Sequence, residues 1–260
     1  MTQEPLILMT PPQHLEQTRG LRAVVAHQAY RIGRGPHLYR SGVPAAGGLM
    51  AVDDRDFDGR GEGGALCVEI LRECGARGFQ GAVLDLEGEC KPLLERVIRE
   101  LDDRFFRRGW RLYVPEEYAH CGANTRIMVS SALSGGSLHS RLEEGVERYG
   151  KKRMTLALER RAADFFLPAP DGQGKELSRE ELRALMEERQ PCVFFSHELC
   201  ARYFTYMSRE SGAHFVLFDD GDTLRKKIQT AQGLGISEFM AALEDVEDAK
   251  EKLGLCRADG

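Results

Sequence analysis

The chain has 260 residues, 30% of them charged, and a formal net charge of −5. This length excludes a minimal disulfide-stapled domain and suits one large domain. The mildly acidic balance argues against nucleic acid and anionic membranes as main partners. No apolar run approaches the roughly 20 residues of a bilayer-spanning helix, and no basic segment and apolar core of a signal peptide open the chain. We therefore expect a cytoplasmic location, while the oligomeric state is left open.

Predicted strands and helices alternate along most of the chain. The first 48 residues are the least regular, although 5–9 and 23–26 are compatible with strands. Further strands are predicted at 49–52, 81–87, 111–115, 126–130, 153–158, 214–218 and 236–243. Helices are predicted at 65–77, 91–108, 138–149, 178–189, 223–232 and 245–253, and a long loop at 160–177. This order favours a closed (β/α)8 TIM barrel of the α/β class over an open sheet, with residues 1–260 as one domain and an N-terminal part of irregular structure.

Acidic residues follow many of the predicted strands. In a parallel barrel the carboxyl ends of the strands form one rim, and barrel enzymes build their sites there. The acidic residues at these ends are Asp53, Asp54, Asp85, Glu87, Glu116, Glu117, Glu159, Asp219, Asp220, Glu244 and Asp245. As substrate-binding residues we predict Asp53, Asp54, Glu117, Glu159 and Glu244, together with Ser130.

Asp85 and Glu87 form the most informative pair. Alternate residues of a strand share a face, so Val83, Asp85 and Glu87 lie opposite the apolar Leu84 and Leu86. The apolar face packs under helices, which directs the two carboxylates into the barrel. Neighbouring carboxylates repel, so one of them should hold a proton near neutral pH. A carboxylic acid of this kind can protonate a glycosidic oxygen as general acid.

The segment 79–87 resembles the strand of glycoside hydrolase family 18, the chitinases and related spore and cell-wall hydrolases, that carries Asp-x-x-Asp-x-Asp-x-Glu. Asp85 matches the third Asp and Glu87 the final Glu, while Gln80 and Val83 replace the first two Asp. The resemblance implies a TIM barrel that acts on, or binds, a glycan containing amino sugars. It also implies Glu87 as general acid in a retaining reaction, with Asp85 orienting the substrate acetamide that attacks the anomeric carbon.

The C-terminal part is also similar to this family. Its Tyr-Asp-Asp-x-x-Ser-Ile-x-x-Lys stretch is matched by Phe218, Asp219, Asp220, Thr223, Leu224 and Lys227. Three further positions depart from the family. Ser130 and Ser131 stand in place of a Tyr and an Asp, and Ala242 stands in place of a Trp. Two hypotheses therefore remain. The retained carboxylate pair favours a glycosidase, and the three replacements favour a glycan- or protein-binding barrel without turnover.

We predict no cofactor and no metal site. The segment 54–62 fits the first half of a calcium loop, but Ala65 stands where a bidentate Glu is needed. His197 and Cys200 have no second ligand cluster at a known spacing. The seven cysteines lack a Cys-x-x-Cys pair and are expected to be reduced, and no spacing identifies a Cys–His pair.

Overall fold

A computed structural model describes residues 5–42, 45–167, 174–209 and 212–256. Its strands are β1 (Leu6–Thr10), β2 (Ala23–Ile32), β3 (Leu38–Arg40), β4 (Leu49–Asp53), β5 (Gly81–Asp85), β6 (Arg111–Pro115), β7 (Arg126–Ser130), β8 (Met154–Leu158), β9 (Ala162–Leu167), β10 (Lys175–Glu176), β11 (Phe194–Ser196), β12 (Ala201–Ser208), β13 (Gly212–Phe218) and β14 (Glu238–Ala242). Its helices are α1 (Gly64–Arg77), α2 (Pro92–Phe106), α3 (Leu138–Tyr149), α4 (Arg179–Arg189), α5 (Gly221–Gly233) and α6 (Leu243–Val246). Short 3-10 helices cover Pro12–Thr18, Glu116–Cys121 and Glu247–Ala249. Within these ranges no helix is both long and apolar enough to cross a bilayer.

Parallel strands close into a barrel in the order β1, β2, β4, β5, β6, β7, β8, β14, and β14 pairs back with β1. The predicted TIM barrel is therefore confirmed, and the weak N-terminal pattern supplies two of its strands. Helices α1, α2, α3 and α5 each precede the next barrel strand. The 3-10 helices Pro12–Thr18 and Glu116–Cys121 replace α-helices in two crossovers.

The strand β5 shows how side-chain alternation builds two cores. Ala82 and Leu84 face outward into the large cluster under the helices, whereas Val83 joins the smaller cluster inside the barrel. Gly81 lets β5 approach β6 closely, because a Cβ there would lie 2.1 Å from the carbonyl oxygen of Arg111. The predicted division between an apolar outer face and an inner face is thus confirmed for this strand.

A second sheet, which the sequence did not predict, is inserted between β8 and α5. Its antiparallel order is β10-β9-β13-β12-β11, and α4 packs on one face. The prediction of 214–218 as a barrel strand was therefore wrong: β13 is covered on both faces, as a parallel barrel strand would be. The predicted loop 160–177 contains β9 and β10, while its Pro168, Pro170 and Gly172 lie outside the described residues. The single-domain assignment of residues 1–260 stays a prediction.

The chain after β14 also differs from expectation. The last barrel strand ends at Ala242, and α6 begins at the next residue. The predicted helix 245–253 was wrong, because Val246 leaves the helical region (φ −112°, ψ 4°) and only the 3-10 helix Glu247–Ala249 follows. This early turn decides which acidic side chain faces the barrel mouth.

Candidate active site

A cavity of about 570 Å³ opens at the carboxyl ends of the barrel strands. Its apolar floor includes Met9, Val83, Met128, Ala157 and Met240. Its acidic and hydroxyl-bearing lining residues are Asp85, Glu116, Glu117, Ser130, Glu159 and Asp245. The cavity therefore combines an apolar base with several polar groups at its mouth, as small-molecule sites in proteins generally do.

Asp85 is the last residue of β5 and lies beside Asp53 of β4 in the parallel register. It is half-buried, and among the described residues no donor bonds its carboxylate. Burial raises the pKa of Asp85, and the nearby charge of Glu87 raises it further. Asp85 is thus the carboxyl group of the predicted pair that the fold biases toward its protonated form.

Glu87 lies in the loop after β5 instead of on the strand. The prediction that the strand continues to Glu87 was wrong, because pairing ends at Asp85 and the side chain of Glu87 is exposed. The backbone of this loop is nevertheless fixed: the Glu87 N–H donates to Asp54 Oδ1 at 2.9 Å. Lys91 Nζ donates to the Glu87 carbonyl oxygen at 3.2 Å and pairs with Asp54. Glu87 therefore lies on an anchored loop at the rim, where its charge acts on Asp85, but it does not itself line the cavity.

Asp53 and Asp54 were predicted to contact substrate, and they lie at the end of β4. Asp54 is buried, and both of its carboxylate oxygens are used by Glu87 and Lys91. Its role in the structure is to position the Glu87 loop. Asp53 accepts the Arg55 N–H at 3.3 Å and forms a looser ion pair with the same residue. Neither residue lines the cavity, so a contact with substrate stays a prediction for both.

The remaining predicted residues divide between the cavity and its surroundings. Glu117, Glu159 and Ser130 line the cavity, whereas Glu244 is exposed and does not. Asp245 takes the place predicted for Glu244, because α6 begins directly after β14. Burial raises the pKa of Asp245, and the Arg160 N–H bonded at 3.4 Å opposes this shift.

No sequence motif indicated that an arginine lies at this mouth. Arg141 of α3 lines the cavity and pairs with Glu116, whose other oxygen accepts the Tyr149 hydroxyl at 3.0 Å. The carboxylate of Glu116 raises the pKa of Arg141. Arg141 and Tyr149 are far from any recognised motif in the sequence, and only the packing of α3 against the strand ends brings them to the site.

The C-terminal segment that resembles the hydrolase family is structural here. Lys227 and Asp219 form a buried ion pair at 2.8 Å, and Thr223 Oγ1 donates to the other Asp219 oxygen at 2.8 Å. Asp220 caps α5 through the N–H groups of Asp222 and Thr223. These contacts join the inserted sheet to the barrel wall and place no carboxylate in the mouth cavity.

A second cavity of about 620 Å³ lies between α4 and the junction of β13 with α5. Its lining includes the arginines Arg160, Arg161, Arg179 and Arg183 and the apolar Leu182 and Met186. Its lining carboxylate Asp248 pairs with Arg160, which lowers the pKa of Asp248. The carboxylates at the barrel mouth therefore form the better candidate for acid chemistry.

Together these features define an α/β barrel with an acidic cavity at the carboxyl ends of its strands. Solved structures share this fold. The chitinase of Chromobacterium violaceum ATCC 12472 has a TM-score of 0.71 and 14% identity, over 98% of this chain and 100% of that chain. The spore cortex-lytic enzyme SleL of Bacillus megaterium QM B1551 has a TM-score of 0.68 and 11% identity, over 97% of this chain and 74% of that chain.

A class V chitinase from Nicotiana tobaccum, a mutant in complex with NAG4, has a TM-score of 0.63 and 12% identity, over 90% of this chain and 92% of that chain. No family model and no curated protein matches the sequence. The predicted resemblance to glycoside hydrolase family 18 is thus confirmed for the fold.

Proposed function

We propose that the protein is a glycoside hydrolase that cleaves a glycan containing N-acetylated amino sugars, with Glu87 as general acid. The observation that carries the proposal is the position of Asp85, which ends β5 and lines the acidic cavity, with Glu87 on the rim loop close enough for its charge to raise the pKa of Asp85. The fold shared with chitinases and a spore cortex-lytic enzyme supports this class of substrate.

In the free protein Glu87 is exposed and Asp85 is half-buried. A bound sugar would exclude water from the loop that carries Glu87. Glu87 then protonates the glycosidic oxygen, while Asp85, whose raised pKa favours the protonated carboxyl group, orients the acetamide group through a hydrogen bond. The acetamide oxygen attacks the anomeric carbon, and hydrolysis of the resulting intermediate restores the original configuration.

A second candidate function is glycan binding without turnover. Ser130 replaces a Tyr of the resembled family at the cavity wall, and Ala242 replaces the Trp of its closing strand. Both replacements remove aromatic or hydroxyl contacts to a bound sugar. The exposure of Glu87 in the free protein points the same way, because a general acid works best when shielded from water.

The distinguishing experiment uses the wild-type chain with three sets of oligomers: N-acetylglucosamine, its N-deacetylated form, and glucose. We expect cleavage of the acetylated oligomers alone, with the newly released reducing end in its original anomeric configuration by NMR. Acetamide participation is excluded if the deacetylated oligomers are cleaved as fast. Binding of the acetylated oligomers by calorimetry without any cleavage would support the second candidate instead.

A further inference from the structure

Three potential metal ligands meet beside the loop that carries Glu87. The 3-10 helix Glu116–Cys121 packs against the first turns of α2 and brings His120 and Cys121 next to Glu95. His120 Nε2 lies 3.3 Å from Glu95 Oε1 and 3.6 Å from Cys121 Sγ. One ligand atom from each residue lies within 4.8 Å of the other two.

The contacts of the His120 ring aim one nitrogen at the other two groups. Its Nδ1 lies 3.1 Å from the Glu117 carbonyl oxygen, which can only accept. When the Nδ1–H donates to this oxygen, Nε2 is left to face Glu95 and Cys121. An Nδ1–H donated to a backbone carbonyl is the usual outer contact of a metal-bound histidine.

The distances of His120 from the other two groups match those of a tetrahedral zinc site. Zinc bonds of about 2.1 Å to nitrogen and oxygen and about 2.3 Å to sulfur place N and O about 3.4 Å apart, and N and S about 3.6 Å apart. The corresponding separations here are 3.3 Å and 3.6 Å. Two of the three separations therefore match those of a zinc site, and the third, between Glu95 and Cys121, is at most 4.8 Å.

Arg99 favours the ionised form of the Glu95 carboxylate, whereas binding by Cys121 requires the metal to displace the thiol proton. Arg99 donates to Glu95 Oε2 at 2.9 Å, which lowers the pKa of Glu95 and leaves Oε1 for a cation. Burial raises the pKa of the Cys121 thiol to about 11. A coordinating metal would displace this proton, since thiolate is the form that binds zinc.

We propose that Glu95 Oε1, His120 Nε2 and Cys121 Sγ bind a Zn²⁺ ion, with water in the fourth position. The mixture of imidazole, thiolate and carboxylate suits zinc better than calcium or magnesium, which prefer oxygen ligands. His120 is half-exposed, so water reaches the open position. The ion would tie the segment after β6 to α2, whose N-terminus directly follows the loop with Glu87 and Lys91. The proposal is independent of glycoside hydrolysis.

The test is a titration of the reduced wild-type protein with Co²⁺, which reports a thiolate ligand by a charge-transfer absorption band. We expect saturation of this band at one molar equivalent and its loss when Zn²⁺ is added. His120→Gln and Cys121→Ser should each abolish the band and weaken Zn²⁺ binding by more than about 100-fold, the upper effect of losing even an outer partner of a ligand. His120 is exposed, so its substitution leaves the core intact.

Two variants serve as matched controls. His139→Gln removes an exposed histidine that also faces a glutamate, Glu143, at 4.0 Å, and Cys192→Ser removes an exposed thiol elsewhere. Both should keep the band and the affinity. Absence of a thiolate band in the wild type, or its persistence in both His120→Gln and Cys121→Ser, would overturn the proposal.

Discussion

Asp85 is a carboxyl group in a place where ionisation is unfavourable. Its pKa is raised first by burial and then by the charge of Glu87. Because the folded-state pKa exceeds the unfolded value, the unfolded chain releases this proton first. The contribution of Asp85 to stability is therefore present below its unfolded pKa of about 3.9 and is lost as the pH rises through the folded pKa.

Asp85→Asn should remove this pH-dependent penalty. We expect the free energy of unfolding at pH 7 to be higher in the variant than in the wild type, and the difference to be much smaller at about pH 3, where Asp is mostly protonated in the unfolded chain as well. Urea unfolding at both pH values measures the difference. Asp103→Asn, on the exposed face of α2, is the control and should leave stability nearly unchanged at pH 7. A variant less stable than the wild type at pH 7 would show that ionised Asp85 is stabilised.

At the scale of elements, the end of β4 organises the loop after β5. Asp54 holds the Glu87 N–H and Lys91, and so couples two neighbouring strand ends. The sequence placed Asp54 at the rim correctly but could not reveal that its oxygens are used within the protein. Asp54 bonds to residues that are more than 30 positions away along the chain, and no sequence pattern predicts such partners.

Asp54→Ala should destabilise the protein and release the loop after β5, which carries Glu87. We expect a loss of about 2–4 kcal/mol, somewhat less than the cost of breaking a fully buried ion pair because Lys91 keeps some contact with water. Amide hydrogen exchange should rise for residues 86–91. Asp58→Ala is the matched control. Asp58 is an exposed acid in the loop after β4, and its carboxylate accepts the Arg60 N–H. Equal losses in the two variants would contradict a specific role for Asp54.

The elements themselves were predictable to different degrees. The β5 strand carries an apolar outer face, and the helices around it have apolar residues at regular helical spacing. The inserted sheet was missed because β13 is as apolar as a barrel strand and because β9 follows directly after the acidic end of β8. Sequence periodicity identifies a strand, but it does not reveal whether its neighbours are parallel or antiparallel.

At the scale of the whole molecule, the closed barrel brings distant segments to one mouth. Asp85 and Asp245 line the same cavity although most of the barrel separates them along the chain. The sequence predicted this acidic rim from the rule for parallel barrels. It could not predict that Asp245 replaces Glu244 or that Arg141 joins the rim, since the onset of α6 and the packing of α3 decide both.

Comparison of Glu87→Gln with Glu89→Gln tests the central claim most directly. Both residues are exposed acids of the same loop, and each change removes one charge while keeping the shape of the side chain. The measurement is the rate of cleavage of N-acetylglucosamine oligomers by the two variants and the wild type. The account predicts a loss of about 10²–10⁴-fold for Glu87→Gln alone, the usual contribution of a general acid. Cleavage by Glu87→Gln at the rate of the wild type would contradict it.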